Sequence, residues 1–517
     1  MTEPLSAVII GAGHNGLVCA IYLARAGYRV QVLEANQDVG GAAAAYEFAE
    51  GFQAPGLVNV PYGLNAKICK ELQLDPPTHK AEMKEGSISL SEKGEHITLA
   101  DEQVTGAGIS ERDSEAYRAF KEEFTAYAQA LQPLMLNRPP RLKDMDRRDK
   151  FTLAKLGWNL RFGLGTQSMR EFLRVGGINI YDVLNETFEN SQLKAAIAVD
   201  AVLGQHMGPR TPNTVLTYLQ RLWAQTESSS HFSSGLEALE ALKKAAKAAG
   251  VSIRINARVR QVRLENEAAV GVELESGEQI SASVVVSNVD AKTTFLDLVG
   301  AKNLDAMFCH RIDNYRCKGN VAKLFYGVKG LPKFKGLSQK EINQRLLIAP
   351  NLTYVEHAFN PVKYAEHSTN PFLEITLPSL KDSALAPKGY HVVSVSAAFV
   401  PYTHKLGWDS QRKPFIKTVT SMIERYAPGF AETVEVSKLL TPLDIEKQFL
   451  SAGGHWHHGE LSIDQSFMMR PVHGAAQYDT PINGLYLCGA GTHPGGGVTG
   501  VPGHNAAQRI LETGEHK

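Results

Sequence analysis

The sequence predicts an α/β fold in which a parallel-sheet domain carries an inserted α+β domain. Three observations support this prediction: a strand, turn, helix and strand at the start of the chain, a helix followed by strands in the middle, and a strand with a glycine-rich loop near the end. The chain has 517 residues, 43% of them hydrophobic, so it is long enough to form two large domains.

The first unit begins with a strand and a turn. Ala7–Ile10 is a short apolar run, typical of a parallel strand that is buried on both faces. In the turn that follows, Gly11 permits the tight bend, Gly13 lets the backbone approach a pyrophosphate, and Gly16 lets the next helix pack closely on the strand. The N-terminus of that helix presents free N–H groups and a positive dipole end to the phosphates.

An acidic residue closes the second strand of this unit. Gly27 ends the helix, and Arg29–Leu33 is the second strand, so that Glu34 lies 18 residues beyond Gly16. A carboxylate at this position accepts hydrogen bonds from the hydroxyls of an adenosine ribose, and it favours a plain ribose over a 2′-phosphate.

A glycine pair follows the second strand. Gly40 and Gly41 stand where the chain of a flavin enzyme passes beside its cofactor, a feature that a nicotinamide dehydrogenase does not need. An ordinary turn is the alternative interpretation of this pair.

The middle block is predicted as a second piece of the nucleotide-binding domain. A helix with one apolar face is predicted over Leu236–Gly250. Four strands are predicted after it: Val251–Ile255, Val259–Leu264, Ala269–Glu275 and Glu278–Val286. The backbone near Val259 is expected to meet the adenine, and a β-meander without cofactor contact is the alternative.

The last segment supplies the other half of the predicted site. Gly484–Cys488 is predicted as a strand, and the C-terminal glycine loop, Gly489–Gly503, follows it. So many glycines destabilise a helix or strand, and they indicate that backbone passes close to a ligand. A helix is predicted over Asn505–Leu511, with its N-terminus facing the pyrimidine side of a flavin.

Composition excludes several classes of protein. Lys plus Arg and Asp plus Glu both total 54, so no global field favours nucleic acid. The five cysteines form no Cys-x-x-Cys pair and no zinc-like cluster, which argues against a disulfide reductase and a metal site and suits a reduced, cytoplasmic setting. No apolar run approaches a membrane span, and no second dinucleotide motif is found, so we expect electrons to come from an organic substrate.

The two ends of the chain resemble the phytoene desaturase-like branch of the flavin amine oxidase superfamily. The resemblance is carried by GAGHNGLVCAIYLARAGYRVQVLEANQDVGGAA at the front and GLYLCGAGTHPGGGVTGVPGHNAA at the back, with support from residues 235–299 and 458–471. It implies a Rossmann-type FAD-binding domain of the glutathione reductase-like kind, with an inserted α+β substrate domain. The FAD-binding domain would comprise residues 1–70, 231–300 and 465–517, and the substrate domain residues 71–230 and 301–464.

The resemblance also implies which residues touch FAD. By match to the family motifs these are Gly11, Gly13, Gly16, Glu34, Gly40, Gly41, Val259, Gly491, Gly500 and Val501. Many members have an arginine soon after the double glycine, whereas Ala42–Ala45 supply none here, so the phosphates must rely on helix N–H groups or on a distant cation.

Three residues are candidates for the chemistry. Lys323 lies in an apolar strand, like a lysine that holds a water near flavin N5 in flavin amine oxidases; an edge-strand lysine pointing to solvent is the alternative. His458, in the run His455–His458, is a candidate for a pocket wall or proton relay rather than a metal ligand. His493 lies in the C-terminal glycine loop and either touches the flavin ring or supports the backbone.

A basic stretch that also carries aromatic and aliphatic residues indicates how a lipophilic substrate could enter. Residues 137–174 mix ten Lys and Arg with Phe, Trp and Leu, which suits contact with a membrane surface; a solvated face of the substrate domain is the alternative.

The expected function is therefore an FAD-dependent oxidation of C–H bonds in a lipophilic substrate such as a carotenoid, another isoprenoid or a lipid, with oxygen or a quinone as electron acceptor. An amine oxidase, or a flavin-bound partner protein without turnover, are the rivals.

Overall fold

The structure is a computed structural model that describes residues 5–57, 59, 63–74, 86–229, 232 and 234–514. In that part of the chain the strands are β1 (Ser6–Ile10), β2 (Arg29–Leu33), β3 (Tyr46–Ala49), β4 (Phe52–Ala54), β5 (Ser87–Ser89), β6 (Ile97–Leu99), β7 (Val104–Gly106), β8 (Ser252–Arg254), β9 (Val259–Glu265), β10 (Ala268–Leu274), β11 (Gln279–Ser281), β12 (Val284–Ser287), β13 (Val321–Lys329), β14 (Arg345–Ile348), β15 (Leu373–Thr376), β16 (Tyr390–Ala398), β17 (Val434–Leu440) and β18 (Leu485–Leu487).

The α-helices of the same residues are α1 (His14–Arg25), α2 (Ala66–Glu71), α3 (Glu111–Ala130), α4 (Gln132–Met135), α5 (Arg147–Trp158), α6 (Gly165–Val175), α7 (Ile180–Thr187), α8 (Ser191–Val202), α9 (Thr214–Thr226), α10 (Gly235–Ala248), α11 (Ala306–Asp313), α12 (Leu352–Phe359), α13 (Trp408–Tyr426), α14 (Phe430–Thr433), α15 (Pro442–Phe449) and α16 (Val501–Gly514). The predicted first unit, β1–α1–β2, is confirmed to within a residue or two at its helix.

A five-stranded parallel sheet forms the centre of the nucleotide-binding part, in the order β18-β12-β1-β2-β8. Alternate residues of β1 enter different cores: Ile9 packs with α1, α10 and α16, whereas Val8 packs with β9 and β10. Both faces of the sheet are therefore covered, which explains why its strands are almost wholly apolar.

One predicted strand of the middle block is wrong. The structure divides Glu278–Val286 between β11, in a three-stranded antiparallel sheet with β9 and β10, and β12, in the parallel sheet. The chain crosses from one sheet to the other at Ser283, whose N–H donates to the carbonyl of Ser6 at 3.0 Å. A continuous run of β-favouring residues could not reveal this change of partner.

A mixed eight-stranded sheet forms the second part, in the order β17-β13-β16-β15-β14-β5-β6-β7. Helix α13 covers one face of it, through Phe415 and Val419, while the β3–β4 hairpin covers the other, through Phe48 and Phe52. Strands β5 to β7 lie within residues 71–230, where the sequence analysis identifies no individual strand. They are only three residues each, too short for an alternating pattern to show.

A helical layer completes the molecule. Helices α3, α7, α8 and α9 pack together and share one hydrophobic core with α1 and α16 of the nucleotide-binding part. In the described residues no helix combines the length and the apolar character required to cross a membrane. The division of the chain into two domains at the predicted boundaries stays a prediction.

Candidate functional site

The glycine turn after β1 is held by backbone contacts that tolerate no side chain. Gly11 has φ +94°, and a Cβ on Gly16 would overlap the carbonyl oxygen of Gly11. A Cβ on Gly13 would come within 2.8 Å of the Asn288 amide, which itself donates to the carbonyl of Gly11 at 3.3 Å. Asn288 follows β12, so the turn is supported by the neighbouring strand. The sequence prediction did not select it.

Glu34 lies buried at the end of β2 and organises the chain around it. Its Oε2 accepts from the N–H of Ala12 at 2.7 Å, and its Oε1 accepts from the N–H of Asn36 at 3.0 Å. The N–H of Ala257 donates to the Glu34 carbonyl at 2.8 Å. Val259 begins β9 two residues later, so the two predicted adenine-side residues, Glu34 and Val259, lie on segments that are joined by a backbone hydrogen bond.

The double glycine passes beside the first turn. Gly40 forms a parallel bridge with Gly13, and a Cβ on Gly41 would lie 3.4 Å from the Cα of Gly13. Gly40 has φ +134°, and a Cβ there would overlap Leu239 of α10. An ordinary solvent-facing turn would not require both restrictions, so the close-passage interpretation fits better.

The end of the C-terminal glycine loop is helical. Helix α16 begins at Val501, four residues earlier than predicted, because Pro502 sits in the first turn, where a proline costs no hydrogen bond. A Cβ on Gly503 would overlap the carbonyl of Asn15, so α16 and α1 touch backbone to backbone at their N-terminal turns. Two positive helix ends therefore lie side by side.

Arg470 is a site residue that the sequence analysis missed. Its side chain is fully buried, and its N–H groups donate only to backbone carbonyls. The acceptors are the carbonyls of His457, Gly459, Glu460, Gln465, Ala490 and Thr492, at 2.7–3.4 Å. Arg470 thereby ties the histidine run to the C-terminal glycine loop. The sequence offered one indication of this role, because Arg470 is the one arginine in residues 458–471, a stretch that carries the family resemblance.

The histidine run packs directly on this loop. A Cβ on Gly496 would overlap the His457 ring, and a Cβ on Gly491 would lie 3.4 Å from the Cβ of His458. Burial lowers the pKa of His457 to about 3, and burial also lowers the pKa of His458. Both rings are therefore neutral near pH 7. In the described residues no group of three or more His, Cys, Asp or Glu is arranged to hold a metal ion.

Two further histidines hold the loop in place. His493 is buried, and its Nε2 lies 2.9 Å from the carbonyl oxygen of Leu134. Of the two roles predicted for His493, contact with the flavin ring or stabilisation of the backbone, the structure therefore favours stabilisation of the backbone. His14, inside the N-terminal motif, has its Nε2 3.0 Å from the carbonyl oxygen of Gly497, and burial lowers its pKa to about 4. His14 was not among the predicted site residues.

Lys323 lies in the interior of the eight-stranded sheet, between β16 and β17, so the edge-strand alternative is wrong. Its side chain is fully buried, and its Nζ donates to Asn59 Oδ1 and to Ser396 Oγ, the latter at 3.1 Å. Burial lowers the pKa of Lys323 to about 7, and the charge of Glu374 partly opposes that shift.

A cavity opens between the C-terminal glycine loop and the helical layer. Gly496 and Gly497 form one wall, α8 and α9 form the opposite wall, and His457 and Leu461 close a side. The structure brings His457, rather than the predicted His458, into the cavity wall. Lys323 does not line it.

The comparisons with known proteins now decide the family. The model of the family described as "Flavin containing amine oxidoreductase" matches residues 16–294, more than half of the chain. This chain belongs to that flavin-containing family. The same assignment follows from its relatives, since pyridine nucleotide-disulfide oxidoreductase domain-containing protein 2 of Rattus norvegicus is 34% identical over 98% of this chain and 93% of its own length.

Two further matches extend the comparison. The neurosporene-forming phytoene desaturase of Cereibacter sphaeroides is 26% identical over 96% of this chain and 92% of its own. Wild-type putrescine oxidase bound to putrescine matches with a TM-score of 0.58 at 14% identity, covering 99% of each chain, a likeness of fold alone. The predicted resemblance and the α/β fold are confirmed.

FAD is the cofactor of this family, and the residues of this chain fit it. Glycines crowd together where the backbone must approach the dinucleotide, and Gly13, Gly40 and Gly41 leave the room that side chains would fill. The helix ends of α1 and α16 present N–H donors, and the Glu34 carboxylate is a buried acceptor at the end of β2, which are the kinds of group that a dinucleotide requires. The protein is an FAD-dependent oxidoreductase.

Proposed function

We propose that this oxidoreductase desaturates, or otherwise oxidises, C–H bonds of a lipophilic substrate such as a carotenoid, another isoprenoid or a lipid. The observation that carries the proposal is the cavity against the C-terminal glycine loop, whose walls include the apolar side chains of Met135, Leu203, Ala224 and Leu461. The relative named as a phytoene desaturase supports the same class of reaction.

The predicted contacts become the proposed FAD site. Gly11, Gly13 and Gly16 would contact the pyrophosphate. Glu34 and the backbone at Val259 would contact the adenosine. The remaining predicted contacts would lie on the side of the flavin ring; these are Gly40, Gly41, Gly491, Gly500 and Val501. No arginine follows the double glycine, so the two helix ends neutralise the phosphates in this proposal. When bound, FAD accepts the hydride that leaves the substrate carbon.

The side chains around the cavity then orient the substrate and exclude water. Arg470 holds the C-terminal glycine loop against the histidine run, so the distance from ring to cavity is fixed by buried hydrogen bonds. Neutral His457 adds no charge to the wall, and the two charged residues there, Asp200 and Arg221, pair with each other. His458 stays a candidate for receiving the proton that leaves the substrate, and Lys323 a candidate proton relay, since a pKa near 7 lets it take and release protons.

A membrane surface would supply such a substrate. Residues 137–174 carry the exposed apolar side chains Leu142, Phe151, Trp158, Phe162 and Leu173, each 61–70% accessible to solvent. Exposed Lys150, Lys155, Arg161 and Arg170 lie among them. Large apolar side chains mixed with cations favour an anionic lipid surface. We therefore place this basic aromatic face, residues 142–173, against a membrane.

An amine oxidase is the rival within enzymes, since the family description names amines. Such a site would show a small pocket with an aromatic pair against the ring. Of the described residues that line the cavity, Trp223 and His457 are aromatic and none is Phe or Tyr. The lining therefore favours the lipophilic substrate.

Anaerobic mixing tests the proposal directly. The FAD-loaded enzyme is mixed without oxygen with carotenoids, isoprenoids and fatty acids on one side and with primary amines on the other, and flavin absorbance is followed. Bleaching by a member of the first group supports the proposal. Bleaching by amines alone establishes the rival, and bleaching by none of them favours a flavin-bound partner protein. Readmission of oxygen or of a quinone then identifies the electron acceptor.

A further inference from the structure

The cavity against the C-terminal glycine loop contains polar atoms that its apolar walls do not satisfy. Trp223 Nε1, Gln220 Oε1 and His457 Nδ1 are buried and have no hydrogen-bond partner among the described residues. All three residues line the cavity. Trp223 is 2% exposed and Gln220 9%, so bulk water does not reach them freely. Leaving such groups unpaired in the interior is unfavourable, and their clustering in one cavity points to a ligand that pairs them.

The positions of two of these groups define what the ligand must offer. Gln220 and Trp223 stand three residues apart on α9, so both side chains leave the same face of that helix. The indole N–H of Trp223 can only donate, and Gln220 Oε1 can only accept. One group that satisfies both must accept and donate at once, as an alcohol does.

The rest of the wall separates this polar end from the reacting end. Met135, Leu203 and Leu461 are apolar, and Gly496 and Gly497 bring the C-terminal glycine loop to the cavity. Asp200 supplies the carboxylate in the lining, and it forms ion pairs with the guanidinium groups of Arg221 at 3.0 Å and of Arg345 at 2.7 Å. It therefore attracts no amine strongly. A neutral polar group suits the site better than a cation.

We propose that the substrate is an apolar molecule that bears a hydroxyl group, which donates to Gln220 Oε1 and accepts from Trp223 Nε1, and that it is not a bare hydrocarbon. This inference rests on the proposed function for the lipophilic class of the substrate. It makes Gln220 and Trp223 specificity-determining residues of that site.

Binding of a matched pair of probes tests the inference. Farnesol and farnesene share an isoprenoid skeleton, and farnesol adds the hydroxyl. Each is titrated into the FAD-loaded enzyme, and the dissociation constant is read from the perturbed flavin absorbance or by calorimetry. We expect farnesol to bind about tenfold more tightly than farnesene. Equal affinities would overturn the inference, since a trapped water would then pair the polar atoms.

Two variants and a control assign the effect to α9. Gln220→Met removes the acceptor at similar volume, so it should weaken farnesol about fivefold and leave farnesene unchanged. Trp223→Phe removes the donor together with part of the ring, so it should weaken farnesol about fivefold more than it weakens farnesene. Leu203→Val, in the same lining, should weaken both probes alike. Loss of bound FAD in Trp223→Phe and Gln220→Met, with Leu203→Val retaining it, would show that the polar atoms belong to the flavin and would overturn the inference.

The proposed function and this inference are tested by two different measurements. Flavin bleaching under anaerobic conditions reports oxidation, whereas the preference for farnesol reports the polar end of the cavity. A preference without bleaching supports the inference and counts against oxidation of these isoprenoids. Bleaching with equal affinities supports the oxidation and overturns the inference.

Discussion

The Arg470 guanidinium lies beneath the C-terminal glycine loop, with its Nη2 2.9 Å from the carbonyl oxygen of Ala490 and 2.7 Å from that of His457. These two carbonyls belong to separate segments that meet at the proposed ring end of the site. A buried cation that donates to several carbonyls acts as a rigid cross-link, because each acceptor would otherwise be buried without a partner.

Replacement of Arg470 by Met should therefore release the loop. We expect the free energy of unfolding to fall by more than about 3 kcal/mol and FAD to be lost on gel filtration, since the carbonyls are left unpaired. Urea unfolding and the flavin-to-protein absorbance ratio measure both effects. Arg174→Met is the matched control, because Arg174 is half-exposed and pairs with Glu171 and Glu186 at the surface. Its cost should be about 1 kcal/mol or less, and an equal cost at both positions would contradict the cross-link.

Gly16→Ala should prevent the first turn from closing around the dinucleotide. The new Cβ would overlap the backbone oxygen of Gly11, which cannot move without moving β1. We expect a loss of about 1–3 kcal/mol in stability and weaker FAD binding by fluorescence titration.

The control for this change is Gly157→Ala on the exposed side of α5, where a Cβ meets no atom within 4 Å. That variant should be neutral or more stable by up to about 1 kcal/mol. Wild-type FAD affinity in Gly16→Ala would remove Gly16 from the proposed site.

Lys323 should make stability depend on pH. Burial lowers the pKa of Lys323 to about 7 in the folded protein, while the unfolded lysine keeps its ordinary pKa of about 10.5. Between these values the unfolded chain binds one more proton, so this residue's contribution makes stability rise with pH, by up to about 1.4 kcal/mol per pH unit. Denaturant unfolding from pH 7 to pH 10 should show this rise, and Lys323→Met should abolish it.

The same variant tests a role for Lys323 in the chemistry. If Lys323 relays protons, Lys323→Met should slow turnover or flavin reoxidation by tenfold or more, at an unchanged FAD content. Unchanged rates for both steps would leave Lys323 a structural residue held by Asn59 and Ser396.

The basic aromatic face should bind anionic vesicles. The wild-type protein should sediment with vesicles of phosphatidylglycerol and phosphatidylcholine. The double variant Trp158→Ser, Phe162→Ser should bind these vesicles about tenfold more weakly, because two exposed rings are removed. Met307→Ser and Tyr364→Ser, at exposed positions elsewhere, are the control and should bind as the wild type does. Equal binding by both double variants would place the membrane contact on another surface.

Local patterns were sufficient for the nucleotide-binding part. The structure could be predicted from three local features: the run from Ala7 to Gly16, the acidic residue Glu34 and the glycine-rich end of the chain. A buried strand, a tight turn and a helix N-terminus each depend on residues that are neighbours in the sequence. The same reasoning began helix α16 four residues late, at Asn505 instead of Val501, because the glycines and the proline around Val501 hid the start of the helix. It also joined two strands across Ser283, where no local breaker marks the change of sheet.

The sequence by itself determined the fold class and the cofactor, since both depend on motifs of residues adjacent in the chain. Only the tertiary structure decided the rest. Cys19 and Cys488 are far apart in the sequence, yet they lie side by side in the structure. Burial raises the pKa of the Cys488 thiol, and the contact with Cys19 raises it further. Arg470, the burial of Lys323, and the unpaired Gln220 and Trp223 likewise depend on which distant segments meet. Burial and hydrogen-bond partnership are properties of the packed chain, and no local pattern encodes them.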